Sequence, residues 1–93
     1  MPKKVKASHI LVKTEQEARA LLFDIKRGTS FEDTALKHSL CPSKKNGGDL
    51  GWFGKGMMVK EFEDSAFTLP KGELSQPVKT QFGWHIIKVT DTQ

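Results

Sequence analysis

The sequence predicts an α+β domain: a four-stranded sheet with helices packed against it. Three features of the chain point there. The stretches TEQEARALLFDIKRG and VKEFEDSAF place apolar residues at helical spacing, whereas VKASHILVK alternates as a strand does. SQPVKT and FGWHIIKVTD flank a short turn at Gln81, Phe82 and Gly83, which makes the close of the chain an antiparallel hairpin. A length of 93 residues fits one domain spanning residues 1–93 with a single modest core, and not two domains.

The first strand runs from Val5 to Lys13. Val5, Ala7, His9 and Leu11 share one face and Lys6, Ser8, Ile10 and Val12 the other, so both faces are partly covered, as in a central strand. A helix follows without a linker. Thr14 and Glu17 have the spacing of a capping box, Ala18, Leu21, Leu22 and Ile25 form the apolar stripe, and Gly28 supplies the stop. A second helix is predicted from Ser30 to about Ser39, with Asp33 completing a weaker capping box and Phe31, Ala35 and Leu36 facing inward. CPSKKNGGDLGWFGKGM carries five glycines between Gly47 and Gly56 and is predicted as a loop leading into a short strand at Leu50 to Phe53. Val59, Phe62, Ala66 and Phe67 then mark a third, short helix that Pro70 ends, and a turn at Lys71 to Glu73 leads into the closing hairpin.

Composition excludes several classes. With 37% hydrophobic and 28% charged residues the chain is a soluble globular one rather than a disordered one. No apolar run approaches the roughly 20 residues of a membrane span. The start, MPKKVKASHILVK, has the positive charge of a signal peptide without its long apolar stretch or cleavage site, so a cytoplasmic location is expected. The single cysteine, Cys41, has no partner for an internal disulfide. The net charge of +4 is concentrated at Lys3, Lys4 and Lys6 and at Lys44 and Lys45. Such clusters are ordinarily solvated surface; the alternative is an anionic partner, either nucleic acid or a phospholipid membrane surface. A monomer is the default expectation for so small a domain.

The glycine-rich loop is not a nucleotide cradle, because Gly54-Lys55 is followed by Gly56 instead of Ser or Thr and Asp49 stands where the upstream glycine is required. His9, His38, His85 and Cys41 lack the short spacing that puts two metal ligands on one element, so neither a metal nor another cofactor is expected. No local signature marks Cys41 as the nucleophile of a cysteine hydrolase. Two histidines stand out instead. His85 shares a strand face with Ile87 and Val89, and His9 opens the run Ile10, Leu11, Val12. A lone inward histidine is more often a satisfied core residue than a catalytic one. Two such residues on neighbouring strands could bond to each other, one ring as donor and one as acceptor, and so fix both tautomers. Cys41 and Thr80 are the candidate outer partners of that network.

HILVK, HSLCPSKKNGGDLGWFGKGMMVKEFEDSAF and GELSQPVKTQFGWHIIKV together resemble the parvulin family of peptidyl-prolyl cis/trans isomerases, in order and spacing from His9 to Val89. The resemblance implies the FKBP-like parvulin fold, a four-stranded antiparallel sheet surrounded by helices, with first and last strands adjacent at its centre. It implies that His9 and His85 are the paired histidines of the site, that Cys41 occupies the position holding Cys or Asp in relatives, and that Thr80 is the hydroxyl partner of the network. Leu50, Met58 and Phe62 match the pocket for the substrate proline ring, with Phe82 extending it. The substrates implied are proline-containing peptides and unfolded or partly folded proteins. Phosphate-directed members carry a long basic loop after the first strand, whereas here Lys13 runs straight into Thr14, so a phosphate requirement is not expected. A peptide-binding chaperone or adaptor using the same groove without catalysis is the runner-up reading.

Overall fold

Strands β1 (Lys4–Val12) and β4 (Gly83–Thr92) lie side by side at the centre of an antiparallel sheet. Strand β2 (Asp49–Gly54) flanks β1 and the short β3 (Val78–Thr80) flanks β4, giving the order β2-β1-β4-β3. This computed structural model describes residues 2–93. Both central strands are buried on both faces in their middle parts, which is why Ile10–Val12 and Ile86–Ile87 put apolar residues side by side.

The two faces carry separate halves of the core. On one, Val5, Ala7, Phe53, Ile87 and Val89 meet Phe62, Ala66 and Phe67 of helix α3 (Lys60–Thr68). On the other, Ile10, Val12 and Ile86 meet Ala18, Leu21 and Leu22 of α1 (Glu15–Lys26) and Phe31 and Ala35 of α2 (Phe31–His38). The register against β4 shifts between Lys6 and Ala7, where Thr90 is the extra residue on β4, while Val5 and Ala7, two apart on β1, share the α3 face. The sheet thus matches the four-stranded arrangement expected from the sequence, with β1 and β4 central.

Local chemistry explains the boundaries. The Thr14 hydroxyl accepts the Glu17 N–H (3.2 Å) and the Ser30 hydroxyl accepts the Asp33 N–H (3.2 Å), so both helices start where the capping residues stand. Three expectations need correction. Leu36 is 55% exposed, because the inward stripe of α2 is Phe31, Thr34 and Ala35 and Leu36 falls beside it. Pro42–Asn46, expected as loop, forms a 3-10 turn that Pro42 opens and Gly47 closes with φ 67°. The strand expected from Ser75 shortens to Val78–Thr80, since Pro77 has no N–H to offer a ladder. Gly48 (φ 90°) and Gly83 (φ 139°) sit where a Cβ would run into the carbonyl oxygens of His9 and Val12, so these close approaches require glycine.

Candidate active site

The β1–β4 register places His9 opposite Ile87 and Leu11 opposite His85, so the two histidines are diagonal neighbours on the α3 face. Their rings stack at 5.1 Å with 19° between planes, and the two Nδ1 atoms are 2.9 Å apart. Thr80, at the end of β3, puts its Oγ1 2.7 Å from His85 Nε2. The same oxygen accepts the Phe82 N–H at 3.1 Å and keeps its proton and a second lone pair to meet His85 Nε2. Across the Nδ1···Nδ1 contact one neutral ring donates and the other accepts, and the opposite nitrogen of His9 is its Nε2. That Nε2 is buried and has no hydrogen-bond partner among the described residues.

Both imidazoles are neutral at pH 7. Burial pushes His9 down to about 4, with the neighbouring His85 charge acting in the same direction, and burial alone pushes His85 down to about 4. Phe62 stands nearly perpendicular to both rings, at 5.5 Å and 79° to His9 and 5.3 Å and 82° to His85. Phe53 backs Phe62 from the core at 6.0 Å. Above this floor opens an apolar cavity of about 490 Å³. Leu50, Met58 and Val59 form one wall and Leu40, Cys41 and Pro42 another, while Met57 and Phe82, 68% and 60% exposed, stand at the rim. The Gly56 N–H donates to the Glu63 carboxylate (2.5 Å), which anchors the methionine-bearing loop to α3.

The chain as a whole is similar to known proteins. The chain matches the family model for the PPIC-type PPIASE domain over residues 1–93. It belongs to the PPIC-type peptidyl-prolyl isomerases, the parvulins. Foldase protein PrsA of Geobacillus kaustophilus is 54% identical over 91 residues, covering 97% of this chain and 32% of the relative. The crystal structure of the peptidylprolyl isomerase PrsA from Bacillus anthracis superposes with a TM-score of 0.97 at 44% identity, over 99% of this chain and 43% of that one. NmPin, the parvulin of Nitrosopumilus maritimus, superposes with a TM-score of 0.88 at 48% identity, over 98% of this chain and 99% of that one. The parvulin domain thus spans about a third of the curated relatives it matches and nearly all of NmPin.

Of the residues singled out in the sequence, the parvulin fold brings His9, His85, Cys41, Leu50, Met58, Phe62 and Phe82 to one cavity. Thr80 does not line it and reaches it through His85. Cys41 is half-buried in the wall, and among the described residues its Sγ makes no hydrogen bond to either imidazole, contrary to its expected place in the network. The reason is positional: Cys41 precedes the 3-10 turn on one wall, whereas the second bond of His85 is already made by Thr80 from the adjacent strand. Leu11, Leu40, Pro42, Met57 and Val59 were not anticipated. Period-two reading from His9 would have found Leu11, and nothing in the local pattern marks Leu40. The lysine clusters lie at opposite ends of the β1–β2 ladder, Lys4 beside Gly54 and the 3-10 turn beyond Ser8↔Asp49, so they do not merge into one patch.

Proposed function

We propose that this parvulin domain rotates X-Pro bonds of peptide and partly folded protein substrates without covalent chemistry and without a phosphate on the residue before proline. The observation that carries the reading is the apolar cavity floored by Phe62 and a neutral, mutually bonded histidine pair. X-Pro rotation faces a barrier of about 18–20 kcal/mol that comes from amide resonance, and no bond has to be broken. Leu50, Met58 and Phe62 hold the pyrrolidine ring while the preceding carbonyl swings. Met58 suits both isomers because its unbranched thioether adapts. Every 1.36 kcal/mol by which the pocket favours the twisted amide over the planar forms gives roughly tenfold in rate.

His9 and His85 act as a neutral frame that fixes Phe62, and with Cys41 they set the polarity beside the rotating carbonyl. Buried imidazoles with pKa values of about 4 are poor proton acceptors at pH 7, which favours this role over acid–base chemistry. The absence of a phosphate requirement rests on the connection between β1 and α1, which consists of Lys13 and Thr14 alone. The reading includes assistance to protein folding, in keeping with the foldase name of the relatives, and a monomer in a reducing cytoplasm, which suits one half-buried thiol. Binding to an anionic membrane or nucleic acid would draw on Lys3, Lys4 and Lys6 or on Lys44 and Lys45, and loss of that binding as salt rises is its test.

Exchange NMR on Ala-Pro, Leu-Pro and Glu-Pro peptides, with a phosphoserine-Pro peptide as comparison, tests the function. Protein-dependent cis/trans exchange is expected for Ala-Pro and Leu-Pro, with no gain from the phosphate. Binding without exchange would replace the enzyme by a peptide-holding module.

A further inference from the structure

We infer that Ser39 is a positioning residue for the substrate pocket: its hydroxyl ties the wall formed by Leu40 and Cys41 to the strand that carries His9. The inference rests on the proposed function and concerns how that site is held in shape. The outer edge of β1 changes partner along its length. Pairing with β2 stops at Ser8↔Asp49, and the next free amide, of His9, donates to the Gly48 carbonyl at 2.9 Å. One step beyond, at Leu11, no strand is left. Ser39 takes its place.

Ser39 ends α2, its N–H closing the helix on Ala35 O at 3.0 Å and its backbone turning extended. Its side chain is 3% exposed and faces β1. Oγ accepts the Leu11 N–H at 3.1 Å and the Cys41 N–H at 3.3 Å, while the Leu40 N–H donates to the Leu11 carbonyl at 2.8 Å. A hydroxyl and one amide therefore do for Leu11 what a paired strand would do. Because one oxygen holds both Leu11 and Cys41, removing it frees both sides of the pocket wall at once and leaves two amides without an acceptor.

The chain contains a natural control. Ser75 performs the same service for β4 where β3 is missing: its Oγ accepts the Ile87 N–H at 2.9 Å and its own N–H donates to the Ile87 carbonyl at 2.8 Å. It is also buried, 5% exposed, and does not line the apolar cavity. Loss of either hydroxyl should lower stability, and only loss of Ser39 should alter the pocket.

The test compares Ser39→Ala, Ser75→Ala and Ser39→Thr, each at a temperature where it is fully folded, for Ala-Pro peptide affinity and for exchange rate at saturation. Loosening the wall withdraws the Leu40 lining from every bound isomer, which raises the peptide Kd and the KM, and displaces Cys41 from beside the carbonyl, which lowers the saturated rate as well. Ser39→Ala is expected to weaken affinity about tenfold. Ser39→Thr, which keeps the hydroxyl, should restore it, and Ser75→Ala should bind as the wild type does. Wild-type affinity in Ser39→Ala, or equal weakening in Ser75→Ala, overturns the inference. Should Ser39→Ala not fold, the wild-type protein decides: peptide must shift the Leu11 and Cys41 amide resonances together, and unmoved resonances refute the tie. If the wild type binds peptide but does not accelerate exchange, the functional reading fails while the Ser39 inference is still judged on affinity.

Discussion

Acidification from pH 7 to pH 5 should strip the domain of a large share of its stability through His9 and His85 alone. Each ring has a folded pKa of about 4, below the ordinary imidazole value of 6.5. Protonation therefore favours the unfolded chain, so the contribution of each histidine is intact above about pH 6.5, is lost as pH falls toward 4, and changes little below that. At pH 5 an unfolded histidine is almost wholly charged and a folded one about one-tenth charged, which is worth about 2 kcal/mol per ring. The rings are 5% and 4% exposed, so solvent screens them little, and the pair should lose about 2–4 kcal/mol. That is a substantial part of the roughly 5–15 kcal/mol that holds a domain folded.

Urea unfolding at pH 7, 6 and 5 reads this directly, in a His38→Gln background that removes the third imidazole. Ordinary carboxylates titrate near pH 4, at the lower margin of this window. Asp91 lies lower still, because the Thr92 backbone N–H and then Lys71 hold its carboxylate in the charged form. The midpoint should fall steadily while the slope stays constant. Ring resonances of His9 and His85 should still report neutral imidazoles at pH 5.5. A midpoint unchanged between pH 7 and pH 5, or rings that titrate above pH 6, would refute the burial argument.

Thr80→Val removes the hydroxyl partner of His85 Nε2 and the acceptor of the Phe82 N–H. It should cost about 1–3 kcal/mol in urea unfolding and lower isomerase turnover, since the imidazole pair loses its outer partner. Gly48→Ala must place a side chain against the His9 carbonyl at φ 90° and should lower stability by at least about 2 kcal/mol, read from the melting temperature. Cys41→Asp should fold and retain substantial exchange activity towards Ala-Pro peptide; complete loss in a folded protein would point to an obligatory thiolate.

Local chemistry was the legible part. The first two helices begin at Thr14 and Ser30 because their hydroxyls accept amides three residues on, a pattern visible in one turn of sequence. Period-two reading also put His9 with Val5 and Ala7, and His85 with Ile87 and Val89, on the faces they occupy. What periodicity could not supply was the adjacency of β1 and β4, whose partners His9 and His85 are 76 positions apart; that came from the family resemblance. Leu40 stayed hidden for a similar reason. It reaches the pocket through a backbone bond to Leu11 made from a segment with no repeating pattern, so only the three-dimensional edge of β1 reveals it. Leu36 erred the other way, since an eight-residue helix offers one narrow stripe and an adjacent leucine remains in solvent.

The location of the histidine pair follows from what rotation demands of its surroundings. A pocket that grips the proline ring while the rest of the amide turns gains nothing if its own floor yields, because the floor would relax around each planar isomer as well as around the twisted state. The β1–β4 seam is the place least able to yield: it is paired from Val5 to Val12, covered on both faces, and central in the sheet. Polar side chains there must satisfy one another, since water does not reach them. Two neutral imidazoles and a threonine meet that condition at every ring nitrogen but His9 Nε2, in a chain that runs from Thr80 through His85 to His9. An apolar pair of similar size would fill the space but would leave the Thr80 hydroxyl without its imidazole partner and Phe62 without two fixed planes to stand against. The pair therefore couples an unyielding floor to the ring-holding phenylalanine, and its low basicity keeps charge out of the floor at neutral pH.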